Sequence, residues 1–336
     1  LEYYVLQHTF AFNHILSGEF YMSDKKIIAV FGATGAQGGG LVRAILSDPT
    51  SDFAVRAITR NVHSDKAKQL VGLGAEVVVA DSDNEASIAE ALKGVYGAFF
   101  VTAFWEHFSA EKETTQAHNM ASAAKTAGVQ HVIWSSFEDT RNWIPLSDAR
   151  MPTLQEKYKV PHFDAKGEAN AAFTDMGLPV TILNTSFYWE NFIFFGAGPA
   201  RGEDGALYLT MPMDDKLLPG IAVGDIGKCA YAIFKNPNCI RKTVSIAGEH
   251  LTGVQMAQQL SSALGEWVTY NGIPASVFRT FGFPGADEMG NMYQFKSLFN
   301  DDYVGARDIN LVKQLVPDLQ SFASWLETNS SAIPIG

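Results

Sequence analysis

Apolar residues along the chain follow two alternating patterns. Some form short unbroken runs of strand length, and others recur every three or four positions over longer stretches. The runs at 27–31, 53–59, 75–80, 98–102, 129–135 and 179–184 predict strands. The stretches at 41–46, 66–73, 84–93, 109–126 and 161–176 predict helices, three of them closed by Gly74, Gly128 and Gly177. Strand and helix in regular turn predict an α/β fold, a Rossmann-type, doubly wound parallel sheet. Ligands bind such sheets beyond the carboxyl ends of the strands. Those ends carry Gly32, Arg60, Asp81, Thr102 and Ser135, so polar residues converge there.

Beyond residue 184 the alternation loosens. Residues 187–195 are aromatic, and most of them read as core. Residues 196–219 are rich in Gly, Pro and Asp and read as loops around a short strand at 206–211. A helix follows over 226–234, with Asp225 placed to cap it, and then a last sheet strand over 243–247. Thr252 and Gln255 form a capping box that opens a helix to residue 264. Helical stretches at 275–281, 287–299 and 308–327 complete a smaller, mostly helical C-terminal lobe. The expected division is 26–190 with about 221–249 for the doubly wound part, and 191–220 with 250–330 for the small lobe.

The first strand runs straight into Gly32-Ala33-Thr34-Gly35-Ala36-Gln37-Gly38, a GxxGxxG turn that opens a helix. The first glycine permits the tight turn, the second lets backbone approach a pyrophosphate, and the third lets helix and strand pack closely. Free N–H groups at the helix start then face the phosphates. A tight βα turn without ligand is the bland alternative. After the second strand, where an NAD-preferring fold places an acid, stands Thr59-Arg60-Asn61, and no acid occurs from 53 to 64. An Arg there pairs with a 2′-phosphate, so the reading is NADP(H).

Charge and cysteine content narrow the classes. With 36 acidic and 25 basic side chains among 336 residues the formal charge is −11, and no dense basic run occurs, which argues against direct nucleic-acid binding. Cys229 and Cys239 make no disulfide framework and have no metal-ligand spacing, so a reducing cytosol is the default. Cys229 reads as core and Cys239 as a residue of an exposed turn. No apolar run is long enough to span a bilayer. Residues 1–25 stand apart: the first 21 carry no Lys or Arg and fail the signal-peptide pattern. Met22 reads as the natural start, with what precedes it a non-native extension or else a genuine arm.

The glycine turn with Thr34 resembles the short-chain dehydrogenase/reductases, in which a Tyr-x-x-x-Lys pair on the helix after the fifth strand carries the acid chemistry. That spacing occurs here as Tyr21/Lys25, ahead of the first strand, and Tyr231/Lys235, in a late apolar helix. Both read as decoys. At the expected place stands His162-Phe163-Asp164-Ala165-Lys166, so Lys is kept and His162 replaces Tyr. Lys166 and His162 are the candidate catalytic residues; a chemically idle His162 is the alternative.

Together with Val30–Gly39, the blocks HFDAKGE from His162, FYWEN from Phe187 and GFPGA from Gly282 are similar to the NmrA-like family of atypical short-chain dehydrogenases. They are nearest to its NADP-sensing, HSCARG-type branch, and the resemblance spans nearly all of the chain from Lys26. It implies that Gly32 to Gln37 (Gly32, Ala33, Thr34, Gly35, Ala36, Gln37) cradle the pyrophosphate and Arg60 the 2′-phosphate. It places Asp81 and Ser82 by the adenine, and Thr102, Ala103 and Phe104 along the cofactor. Lys166 would hold the nicotinamide ribose, and Tyr188, Trp189, Glu190 and Asn191 would close over the nicotinamide. Two departures stand out: Ala103 replaces the usual Asn, and Thr115 a frequent basic residue, with Lys112 one turn earlier.

The regulatory branch lacks the Tyr and implies a redox sensor with little turnover and a regulatory protein partner, in the cytoplasm or also the nucleus. A homodimer is compatible with it. Related branches imply an NADPH-dependent reductase of a quinone, enone or similar molecule. A third reading is an interaction scaffold without cofactor.

Overall fold

The computed structural model describes residues 25–335. The leader, Met22 and Tyr21 therefore lie outside the described residues. The chain begins β1 (Lys26–Val30), α1 (Ala36–Leu46), β2 (Phe53–Thr59), α2 (Asp65–Gly72), β3 (Glu76–Val79), α3 (Glu85–Ala91), β4 (Gly97–Phe100), a single turn α4 (Phe104–His107), α5 (Ala110–Ala127) and β5 (His131–Ser136). It continues with α6 (Pro161–Asp175), β6 (Val180–Asn184), β7 (Phe187–Tyr188), α7 (Asn191–Phe194), β8 (Ala200–Arg201), β9 (Leu207–Met211), β10 (Leu218–Ile221), α8 (Val223–Lys235) and β11 (Thr243–Ser245). The remainder is β12 (Glu249–Leu251), α9 (Gly253–Leu264), β13 (Val268–Gly272), α10 (Ala275–Phe278), α11 (Ala286–Leu298), α12 (Asn300–Gly305), α13 (Ile309–Leu315) and α14 (Phe322–Asn329).

Seven strands pair in the order β11-β6-β5-β4-β1-β2-β3, all parallel. Strand order reverses between β1 and β4, and the crevice of a doubly wound sheet opens there. The central strands bury both faces, which explains their unbroken apolar runs. One face packs on α1 and α8 through Val30, Leu41, Ile45, Ile226 and Phe234; the other packs on α3, α5 and α6 through Phe100, Met120, Trp134 and Phe173.

The C-terminal part is helical, with two small sheets, β12-β10-β7 and β13-β9-β8, in which β9 is the short strand expected at 206–211. The other strands, at two to five residues, are too short for alternation to register. A third core, with Trp189, Phe192, Phe295, Phe322 and Trp325, lies beneath them. The expected helix over 308–327 is two helices, α13 and α14, because Pro317 disfavours helical geometry at Val316. The capping box at Thr252 is present as expected.

Two local expectations are corrected. Cys239 sits in its turn but is buried, and burial raises its thiol pKa. Asp225 does not cap α8: its Oδ2 accepts the Gln320 N–H at 2.8 Å and so pins the approach to α14. Among the described residues no helix is long and apolar enough to cross a membrane.

α1 and α8 cross where both are glycine. A Cβ on Gly227 would lie 2.2 Å from the Gly40 carbonyl carbon and 2.4 Å from the Leu41 nitrogen, with only backbone to yield. Gly227→Ala should lower unfolding free energy by about 1–3 kcal/mol, the usual cost of overpacking, measured by urea denaturation. An unchanged midpoint would show that the helices can separate freely.

Candidate functional site

The turn after β1 begins with Gly32 at φ +63, a left-handed conformation that a side chain would strain. A Cβ on Gly38 would lie 2.5 Å from the Gly32 carbonyl oxygen, so only glycine lets α1 start this close to β1. α1 has no side-chain cap and no acid in its first turn. Its first N–H groups are therefore open to an anion.

Gln37 is buried behind this turn. Its amide nitrogen donates to the Tyr188 hydroxyl oxygen at 2.7 Å, and its oxygen accepts from the Ser135 hydroxyl at 2.7 Å. Tyr188 also meets Thr185 at 3.2 Å. The network ties together the ends of β1, β5 and β6. Burial pushes the Tyr188 phenol up to about 12, so it stays protonated at neutral pH.

The HFDAKGE block builds the next wall. Asp164 is buried and accepts from the Thr140 N–H and hydroxyl and from the N–H groups of Lys159 and Val160, at 2.6–3.0 Å. Gly167 admits the backbone of Asp139, which a Cβ would meet at 2.5 Å. α6 is thereby fixed, with His162 and Lys166 four residues apart on one face.

The Lys166 ammonium donates to the Thr102 hydroxyl at 2.6 Å, to the Thr102 carbonyl at 3.2 Å, and to Glu113 of α5. Glu113 is fully buried, also accepts from the Thr102 hydroxyl through Oε1, and has no partner at Oε2 among the described residues. The His162 imidazole meets Glu288 of α11 through Nδ1 at 2.7 Å, and its backbone N–H donates to the same oxygen. Its ring is 5% exposed and lies 4.7–5.9 Å from Phe104, Trp105, Phe137 and Phe163. The GFPGA block delivers Glu288: Gly285 is left-handed at φ +84, and a Cβ there would meet the Trp105 ring at 3.0 Å.

Arg60 stands exposed after β2, with Nη2 on both carboxylate oxygens of Glu106, at 2.8 and 2.9 Å. Asp81 is exposed, and the Ser82 carbonyl accepts from the Asn119 amide at 3.0 Å. Lys112 pairs with Asp83 at 2.9 Å. Ala103 is exposed and Phe104 buried at the end of β4.

Two expected site residues face elsewhere. Trp189 is 1% exposed and packs on Phe322 and Trp325. Glu190 accepts from the Val223 N–H at 2.9 Å, and so caps α8, and from the Trp325 indole N–H at 3.1 Å. Successive extended residues point to opposite sides, so Tyr188 reaches Gln37 and Trp189 cannot. Asn191 opens α7, half-buried.

Sequence reasoning did not find Glu113, Glu288 or a second buried group, Lys296. Lys296 lies 5.4–5.8 Å from the rings of Phe163, Tyr293 and Tyr303. Beside it Arg307 pairs with Glu138 at 2.8 Å and donates to the Thr185 carbonyl. Clefts of about 430 and 360 Å³ lie away from these groups, beside the α1/α8 crossing and at the start of β6.

A family model, the NmrA-like family, matches residues 24–326. Relatives include the NmrA-like family domain-containing oxidoreductases malD of Malbranchea aurantiaca and FrzB of Cladobotryum sp. The first is 30% identical, over 74% of this chain and 76% of its own. The second is 28% identical, over 80% and 83%. Among solved structures, NmrA, a negative transcriptional regulator, in complex with NADP superposes with a TM-score of 0.73 at 22% identity, covering 91% of this chain and 95% of its own. Citrobacter sp. triphenylmethane reductase complexed with NADP(H) gives 0.70 at 20%, covering 91% and 99%.

Two stability predictions follow from the buried charges. Lys166→Met strands Glu113 and should cost about 3–5 kcal/mol, while adding Glu113→Gln should recover part of it, read by urea unfolding. Simple additivity would contradict the pairing. Burial pulls the Lys296 ammonium from 10.5 down to about 7, so between these values the unfolded chain binds more protons and stability rises with pH. Lys296→Met should be the more stable protein at pH 7, and its advantage should shrink by roughly 2 kcal/mol by pH 9. A constant difference would contradict the assignment.

Proposed function

The chain belongs to the NmrA-like family, and from that premise we propose that it binds NADP(H) across the carboxyl edge of its sheet and acts as a redox-sensing regulator with little turnover. The observation that carries the cofactor reading is the left-handed Gly32 turn and uncapped α1 beside Arg60, with no acid at the end of β2. NmrA and triphenylmethane reductase, which share the fold, were each solved with this cofactor.

In this reading Gly32, Ala33, Thr34, Gly35, Ala36 and Gln37 hold the pyrophosphate. Arg60 takes the 2′-phosphate, and Asp81 and Ser82 flank the adenine. Thr102, Ala103, Phe104, Tyr188 and Asn191 border the nicotinamide half, and Lys166 anchors its ribose. Trp189 and Glu190 support from behind. The cofactor supplies a hydride when bound; among the described residues the groups that could accompany it with a proton are already engaged. No Tyr stands in the Lys166 position's partner site, the Lys166 ammonium is already shared between Glu113 and Thr102, and His162 is walled in by aromatic rings. Such a site suits recognition of the cofactor's state. A protein partner reads that state, in the cytoplasm or nucleus, as a monomer or homodimer; the net charge of −11 disfavours nucleic acid itself.

One observation favours the second reading, an NADPH-dependent reductase of a quinone, enone or similar molecule. An imidazole backed by the Glu288 carboxylate at 2.7 Å can pass on a proton, and aromatic walls suit a flat substrate. The malD and FrzB relatives carry the name oxidoreductase.

Loss of NADPH absorbance, followed with quinones, enones and aldehydes at saturating NADPH, separates the two. The sensor reading predicts rates at background for the wild type and for Lys166→Ala. Steady turnover that Lys166→Ala abolishes would make the protein a reductase.

A further inference from the structure

Arg60 is already occupied by a carboxylate of this same chain. Its Nη2 bridges both oxygens of Glu106, at 2.8 and 2.9 Å, with both side chains more than half exposed. A carboxylate presenting two oxygens to one guanidinium nitrogen imitates the contact that a phosphate makes. Resting on the NADP(H) reading above, we propose that Glu106 is a specificity-determining residue: an internal competitor that the 2′-phosphate displaces from Arg60.

The segment that carries Glu106 is short, and its end is held in a strained conformation. α4 is one helical turn, ended by Phe108 at φ +53, a left-handed conformation unfavourable for a bulky side chain. Gln155 holds that end: its amide nitrogen donates to the Phe108 carbonyl at 3.0 Å, and its oxygen accepts from the Ala110 N–H at 3.2 Å. Gln155 and its neighbour Glu156 are themselves left-handed, at φ +44 and +63. Strain of this kind gathers at segments with a second position available, held in one by their surroundings. The Arg60–Glu106 pair is a tether on the opposite side of the turn.

α4 also reaches the other end of the site. Trp105, next to Glu106, lies 4.9 Å from the His162 ring and packs against Gly285, just ahead of the α11 residue that holds His162. Releasing Glu106 therefore removes one of the contacts that hold the turn carrying Trp105. A ligand shifts such an equilibrium only through unequal affinity for its two states. The 2′-phosphate provides that inequality, because it and the Glu106 carboxylate are like charges drawn to one guanidinium, and each weakens the other's hold on Arg60. NADP(H) displaces the tether, and NAD(H), which lacks the phosphate, leaves it in place.

An exposed ion pair of this kind is modest in strength, and the expected effects are scaled to that. Dissociation constants for NADPH and NADH are measured by cofactor fluorescence at low salt, with wild type, Glu106→Gln, Arg60→Ala and the double variant. Glu106→Gln should tighten NADPH about two- to fivefold and leave NADH unchanged. Arg60→Ala should weaken NADPH selectively and abolish the Glu106→Gln effect. In the wild type, NADPH but not NADH should shift tryptophan emission excited at 295 nm, a shift that Trp105→Phe removes.

Tightening of both cofactors alike, or weaker NADPH binding by Glu106→Gln, would overturn the competition. So would NADPH binding that depends on Arg60 yet ignores Glu106. NADPH binding indifferent to Arg60, or no binding of either cofactor, would instead bring down the NADP(H) reading on which the competition rests.

Discussion

The close approach of backbone to backbone at the end of β1 is the constraint on which the rest of the structure depends. Gly32 must turn left-handed, and Gly38 must sit where a Cβ would strike the Gly32 carbonyl. Only then does α1 leave β1 at once, with its uncapped N–H groups facing the crevice where strand order reverses. The same helix presents Gly40 to Gly227, which brings α8 hard against it. α8 in turn starts where Glu190 caps Val223, so the glycine turn, the last Rossmann helix and the small lobe are set by one chain of contacts.

The second determinant is charge taken out of water. Removing two ions from solvent is costly, and attraction between them offsets that cost only with good geometry. Lys166, Glu113 and Thr102 meet that condition except at the Glu113 Oε2, and they join β4, α5 and α6 at the crevice. The arrangement fixes an ammonium where the proposed function puts the nicotinamide ribose, while committing its protons to protein acceptors. His162 is treated likewise by Glu288 and the surrounding rings. A site whose lysine and histidine are already paired suits the cofactor binding proposed above better than proton transfer.

Much of this was legible in the sequence because it is local. Unbroken apolar runs marked the strands of the parallel sheet, the glycine spacing marked the turn, and Thr252 with Gln255 marked a helix start. What stayed hidden depends on partners distant in the chain. Glu113 looks like any polar residue of a helix until α6 brings Lys166 to it, and Glu288 gains meaning only from His162. The FYWEN block misled in part, since its chemistry looks uniform while extended backbone sends Tyr188 toward the crevice and Trp189 into the core. Apart from β9, the strands of the small sheets are too short to show a period, and the Asp225 cap was displaced by a side chain from another element.

The account stands on one claim, that the carboxyl edge is a site for NADP(H). Isothermal titration of NADPH and then NADH into the intact chain tests it most directly. One site per chain, with NADPH the tighter of the two, is the predicted result. Absence of heat from either cofactor across a range of temperatures, or tighter binding of NADH, would contradict it.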